Sequence, residues 1–431
     1  MKVGYLNQPW DSSIPPDLRG SISIWTWEVA RCMTSSSEVV VVGGRRVGET
    51  KHVTREGVRY IRFLRIPSKV ARWLSAPVRQ LYGLRSVRRP WFASSLYQRV
   101  YAVRASRAFR DEACDVVHIH NFSQFVPIVR RLNPQAKIVL HMNCDWLAQL
   151  DRKMIDGRLS CADAILGCSE YVTEKIRTRF PHHAHRCATV FNGVDPSQFH
   201  TNGSQPKEST GGRIVFVGRI SPEKGLHVLL DAFERVAALR PDASLDIIGP
   251  EAVAPLEYIV SLSDESVVRN LSIFYEGNYL ENLRRRVRGP LAGRVSFAGG
   301  LTHSDVVERL RNADVCVVPS VWPEPFGIPA VEAMAIGLPV VASRGGGLKE
   351  IVIDRETGLL VEPGNPSSLA EAMLRLLDDP MLARTMGQAG RARAEQNFSW
   401  KSIAEMLNAR YAALCSGALF FNGDANVKWN S

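Results

Sequence analysis

Two glutamates, Glu324 and Glu332, stand eight positions apart in Ser320-Val-Trp-Pro-Glu-Pro-Phe-Gly-Ile-Pro-Ala-Val-Glu332. The apolar run Val315-Cys-Val-Val318 before them reads as a strand, Pro319–Gly327 as a turn, and the stretch from Ile328 as a helix. One carboxylate is then on the loop and the other on the first helical turn. Two carboxylates at a strand end suit paired hydrogen bonds from vicinal hydroxyls, on a ribose or a hexose. The turn amides at Phe326 and Gly327, at a helix N-terminus, suit an anion. A solvated Glu324 and a Glu332 that caps the helix dipole explain the same letters.

A second strand–turn–helix pattern is Phe216-Val-Gly218-Arg219-Ile-Ser-Pro-Glu-Lys224-Gly225. Arg219 and Lys224 flank a turn where two cations can neutralise a diphosphate, although two exposed surface cations fit as well. Gly345-Gly-Gly347 leads into a helix, and its amides suit a phosphate or simply form a tight turn. Neither GxxxxGK[ST] nor GxGxxG occurs, which disfavours a P-loop ATPase and a standard NAD site. There is no Asp-x-Asp, so a metal clamp on a diphosphate is not expected, and no cofactor is. Arg219, Lys224 and backbone amides would supply that charge stabilisation.

These motifs need strands behind them. Thirteen short apolar runs alternate with longer amphipathic segments, the pattern of β-α units around a parallel sheet. At 431 residues, two domains are expected. The boundaries read 1–195 for an N-terminal Rossmann-like domain, 196–212 for a polar Gly/Pro-rich linker, and 213–398 for a second such domain. Residues 399–415 read as a C-terminal helix packing back on the first domain, and 416–431 as a loose tail. The fold class is α/β, two doubly wound domains facing each other across a cleft, with ligands beyond the carboxyl ends of the strands. The eight cysteines show no metal or disulfide spacing and read as thiols of a reducing cytoplasm. No signal peptide or membrane-spanning run is expected.

Glu324-x7-Glu332, with Ala-Met-Ala-Ile-Gly-Leu-Pro-Val-Val-Ala-Ser behind it and Thr-Gly-Leu-Leu-Val further on, resembles the donor-site signature of glycosyltransferase family 4. Gly218-Arg219…Lys224-Gly225 and Phe191-Asn-Gly-Val-Asp195 match the same family in order and separation. The resemblance is dense from about Asp163 to Thr357. It implies the GT-B fold and a retaining, nucleotide-sugar-dependent enzyme. By position it gives Arg219 and Lys224, beside Gly218, the donor diphosphate, Glu332 the ribose, and Glu324 the hydroxyls of the transferred sugar. Phe326 and Gly327 would lie against that sugar.

The resemblance also implies a histidine near the donor sugar, and Asp115-Val-Val-His118-Ile-His120-Asn121 offers two. His120, at the carboxyl end of the strand, is the expected catalytic one. His118 is expected on the opposite side, packed in the core. Asn121 stands where the family often has an acidic residue. His141, Asn143 and Asp145 end the next strand and would line an acceptor pocket or serve the structure alone. The loop Gln8–Arg19 closes on Gly20, whose amide would reach the diphosphate. Trp10, Trp25 and Trp27 could stack on a sugar, with core packing the plainer reading for the last two.

The charge is uneven. From Arg59 to Arg110 there are thirteen Lys or Arg and no acid, whereas the remainder sums to 11 − 13 = −2. Cations interleaved with Trp73, Tyr82, Trp91 and Phe92 suit an anionic lipid surface, a solvated face or a polyanionic acceptor. No nucleic-acid module accompanies them. The reading is therefore a metal-independent retaining glycosyltransferase, cytoplasmic and peripheral on the inner face of the membrane, with an anionic membrane contact through residues 59–110. Its acceptor would be a lipid or lipid-linked glycan in cell-envelope or polysaccharide synthesis. A soluble transferase of a small metabolite, a sugar-nucleotide epimerase and a non-catalytic membrane scaffold are the alternatives.

Overall fold

A computed structural model of the chain describes residues 1–11, 14, 20–64, 87–196 and 211–417. Most of the loop 8–19, residues 65–86 of the basic stretch (with Trp73, Tyr82 and Arg85), linker residues 197–210 and the tail from 418 lie outside them. Two compact units form, Met1–Asn192 with Trp400–Ser431, and Gly193–Ser399. Both are α/β with essentially parallel sheets. Residues 193–195 go with the second unit because Val194 bridges Ser399 and donates its N–H to Phe398 O at 2.7 Å.

The first sheet comprises β1 (Lys2–Leu6), β2 (Glu38–Arg45), β3 (His52–Arg55), β4 (Val58–Leu64), β5 (Val116–His120), β6 (Lys137–Met142), β7 (Ala164–Gly167) and β8 (Cys187–Thr189). Its order is β3-β4-β2-β1-β5-β6-β7-β8. Runs such as Val39–Val42 are buried without alternation, as strands covered on both faces must be. β3 is the exception, antiparallel to β4 at the edge and mostly exposed. Its His-Val-Thr-Arg has no apolar run to announce it. Glu56 and Gly57, both at positive φ, make the two-residue hairpin turn.

The second sheet comprises β9 (Arg213–Val217), β10 (Ser244–Ile248), β11 (Val295–Gly299), β12 (Val315–Val318), β13 (Val340–Ser343) and β14 (Gly358–Val361), in the order β11-β10-β9-β12-β13-β14. That is the doubly wound 3-2-1-4-5-6 arrangement, whose switch point lies between β9 and β12. In the first unit the corresponding point is between β1 and β5. The core of the first unit includes Val3, Tyr5, Trp25, Val116 and Val139. It also includes Trp400, Ile403, Ala404, Leu407 and Tyr411, one apolar stripe of the helix Trp400–Ser416. That helix packs on the helix Ser21–Met33.

Candidate active site

At the β9/β12 switch point Lys224 meets Glu324. The Lys224 Nζ donates to both carboxylate oxygens, at 2.8 and 2.7 Å. Gly225 makes the approach possible: at φ 74°, a Cβ there would lie 2.0 Å from Pro319 O. Glu324 Oε2 also accepts from Ser320 Oγ at 2.8 Å and Trp322 Nε1 at 3.1 Å. Burial pushes the Glu324 carboxyl up, but the Lys224 ammonium and these donors outweigh it and hold it below the usual range. Ser320 and Trp322 carry no signal in the sequence beyond their place beside Glu324.

Arg219 follows β9 and Gly218, where a second close approach occurs. Gly249, ending β10, could carry no side chain, since its Cβ would lie 1.8 Å from Gly218 O. Arg219 donates to Ala252 O at 3.1 Å and to Glu223 Oε1 at 2.9 Å. Glu223 is fully buried and also accepts from Ser221 Oγ. Its carbonyl takes the N–H of Val321 at 2.9 Å, so it ties the β9 turn to the β12 turn. Glu223 is thus a positioning residue missed in the sequence, where it read as one more charge in a turn.

Glu332 lies elsewhere on the same loop–helix unit. The helix runs Ile328–Ile336, with no acid in its first turn, so Glu332 is one turn further in than its spacing suggested. It therefore does not cap the dipole. Its side chain is 14% exposed, and His303 Nδ1 lies 3.8 Å away on a ring whose protonation burial disfavours. Burial pushes its carboxyl up to about 7. The Phe326 ring is buried against Phe398, with centroids 5.9 Å apart, so the ring belongs to the core. Gly327, at φ 119°, starts the helix. The glycine run 345–347 is a spacer instead of an anion cradle. Gly345 and Gly347 donate their N–H groups to Ser343 O and Glu324 O, and a Cβ on Gly346 would lie 2.1 Å from Glu324 O.

In the first unit, His118, His120 and His141 are all at most 1% exposed. The expectation that His118 and His120 face opposite sides is wrong. Residues two apart on a strand share a face, and the two rings are 4.7 Å apart. His118 Nδ1 bonds Tyr411 OH at 2.6 Å and its Nε2 bonds His141 Nδ1 at 3.2 Å, which uses both nitrogens. A metal ion among the three rings would have to displace one of these bonds. His120 Nε2 lies 3.4 Å from Thr26 Oγ1, whereas its Nδ1 has no hydrogen-bond partner among the described residues. Burial lowers all three, His141 to about 3. Trp25 packs on the three rings and Trp27 on Tyr60, so both belong to the core. Trp10 is 43% exposed.

Asn121 has φ 59°, a region asparagine tolerates, and its Oδ1 accepts the N–H of Asn143 at 2.7 Å. That structural duty explains its type. Asp145 is buried and bonds Lys175 Nζ at 3.2 Å and Gln149 Nε2 at 3.0 Å. Gly20, at φ 87°, precedes the helix Ser21–Met33 and has open space where a Cβ would be. In the basic stretch, Arg88 bonds Gln149 O at 2.7 Å and Arg89, 46% exposed, pairs with Asp151 at 2.9 Å. Among the described residues no helix is long and apolar enough to cross a membrane.

Residues 199–393 match the family model of Glycosyl transferases group 1, and residues 23–198 match that of Glycosyltransferase Family 4. The chain belongs to these glycosyltransferases, and its fold is GT-B. Spore coat protein SA of Bacillus subtilis (strain 168) is 29% identical over 313 residues, spanning 69% of this chain and 78% of that protein. The GDP-mannose-dependent monoacylated alpha-(1-6)-phosphatidylinositol monomannoside mannosyltransferase of Corynebacterium glutamicum is 30% identical over 260 residues, 57% of this chain and 61% of that one. The structure of sucrose-phosphate synthase from Thermosynechococcus elongatus superposes with a TM-score of 0.70 at 22% identity, covering 97% of this chain and 100% of that one.

Proposed function

We propose that this chain transfers a sugar from a nucleotide-diphosphate donor to a lipid or lipid-linked glycan, with retention at the anomeric carbon and without a metal ion. The observation that carries the reading is the Lys224–Glu324 pair at the β9/β12 switch point, with Arg219 tied beside it by Glu223. Glu324, oriented by three donors, accepts from hydroxyls of the transferred sugar. Glu332, partly desolvated and short of partners, accepts from the ribose. Arg219 and Lys224 meet the negative charge that grows on the leaving diphosphate.

In the step itself, the bond from the anomeric carbon to the phosphate oxygen breaks as the acceptor oxygen attacks the same face. The acceptor proton passes to the departing phosphate oxygen, and nucleoside diphosphate leaves. The unpartnered Nδ1 of His120 supports a contact with the donor sugar. The lipid acceptor is supported by the mannosyltransferase named above and by the basic stretch, and a cytoplasmic, membrane-peripheral enzyme is the consistent setting.

Calorimetry against a set of labelled nucleotide sugars tests the proposal. One donor should bind and be turned over only when acceptor lipid is added. No donor binding sinks the proposal, and interconversion of the donor without acceptor makes the chain an epimerase instead.

A further inference from the structure

In the first unit, β2, β4 and the helix Arg99–Asp111 border an open cavity of about 490 Å³, and Arg45, Lys51, Arg62, Arg104 and Arg107 line it. Two acids also line it, but both are already engaged: Glu112 with Arg59 at 2.5 Å and Asp111 with Arg110 at 3.2 Å. Arg62 is held by Glu49 at 3.2 Å. Lys51, Arg104 and Arg107 are exposed and have no ion-pair partner among the described residues. Residues 59–110 contain no acid of their own.

Ile61, Phe63 and Leu64 add apolar surface to its lining. Leu64 is 48% exposed and Val100 is 63% exposed. Val100, Arg104 and Arg107 fall at i, i+4 and i+7, one stripe of the helix. Unpaired guanidinium groups beside exposed aliphatic side chains match a phosphate attached to acyl chains better than a free anion.

We propose that this cavity seats the phosphate of an anionic phospholipid headgroup and holds the first unit against a bilayer. The inference deepens the membrane setting proposed above and does not depend on the donor chemistry.

Vesicle co-sedimentation of the full chain, with phosphatidylcholine alone and with added phosphatidylglycerol, tests it. The wild type should sediment only with the anionic vesicles, and less at high salt. Arg104→Gln/Arg107→Gln should weaken binding roughly 30-fold, at about 1 kcal/mol per cation near the surface. Arg288→Gln/Arg384→Gln, two exposed cations of the second unit, should leave binding unchanged. Thermal melts of the variants check folding, which exposed unpaired residues should not disturb. Equal loss in both double variants would mean general charge, and no loss in the first would mean the wrong surface; either overturns the proposal. So does calorimetric binding of inorganic phosphate that the first variant abolishes while vesicle binding survives. Donor calorimetry on the same variant should match the wild type, so failure of donor binding is read separately.

Discussion

Lys224 and Glu324, separated by 100 positions, form a two-oxygen ion pair at 2.8 and 2.7 Å, with side-chain exposures of 18% and 11%. Breaking a pair this buried leaves one charge desolvated. Lys224→Ala should therefore cost about 3 kcal/mol of stability, and Lys224→Ala/Glu324→Ala markedly less, a non-additivity that a double-mutant cycle by denaturant unfolding measures. Additive costs would mean the pair is solvated. Because the folded Glu324 carboxyl is depressed, its contribution is present above the ordinary carboxylate range and is lost as pH falls through the folded value. Lys224→Ala should remove that acid-side loss.

Glu332 has the opposite sign. Burial raises its carboxyl from 4.5 to about 7, so the folded chain holds a proton in that window that the unfolded chain releases. Stability should fall as pH rises from 4.5 to 7. Glu332→Gln should stabilise the protein by at most about 3 kcal/mol at pH 8 and by little at pH 4, as read by thermal melts. If the carboxylate accepts ribose hydroxyls, nucleoside diphosphate should bind wild type more tightly as pH rises through 7. Glu332→Ala should lose roughly 1.5–3 kcal/mol of that binding, and Glu324→Ala should not. Equal affinities by calorimetry would remove Glu332 from the ribose.

The strands that position these groups were legible because parallel strands are continuous apolar runs; β3, short and exposed, was not. The motif residues were legible as types at strand ends. What they touch was not, because the Lys224–Glu324 bond joins residues 100 positions apart through a backbone approach at Gly225 that no local spacing reveals. Glu332 was placed a turn too early for the same reason, since the loop ends at Gly327 and the helix count starts there. The roles of Arg88 and Arg89 were hidden in partners some sixty residues away, Gln149 and Asp151.

Arg219 should matter through charge and through its tether. Arg219→Ala should lower kcat by about 10²-fold or more, as expected when a charge on the leaving group goes unmet. Glu223→Gln leaves the arginine but loosens it, so kcat should fall less while the protein stays folded. Turnover should survive EDTA in the wild type. Loss of activity with EDTA that Mg²⁺ or Mn²⁺ restores would return the leaving group to a metal.

His118 and His120 share a face of β5, yet their bonding separates them. His118 has a partner on each nitrogen, one of them Tyr411 on the helix Trp400–Ser416, so it fastens that helix to the sheet. His118→Ala should lower stability by about 1–3 kcal/mol, and Tyr411→Phe should reproduce part of that loss. The two changes together should cost less than their sum, because each removes the same bond. His120 Nδ1 has no partner among the described residues, so His120→Ala should depress turnover strongly while nucleotide affinity and the melting temperature stay near wild type. Steady-state kinetics beside melts of all four proteins decides the matter. A wild-type rate in His120→Ala, with turnover lost in His118→Ala at unchanged stability, would move the catalytic role to His118.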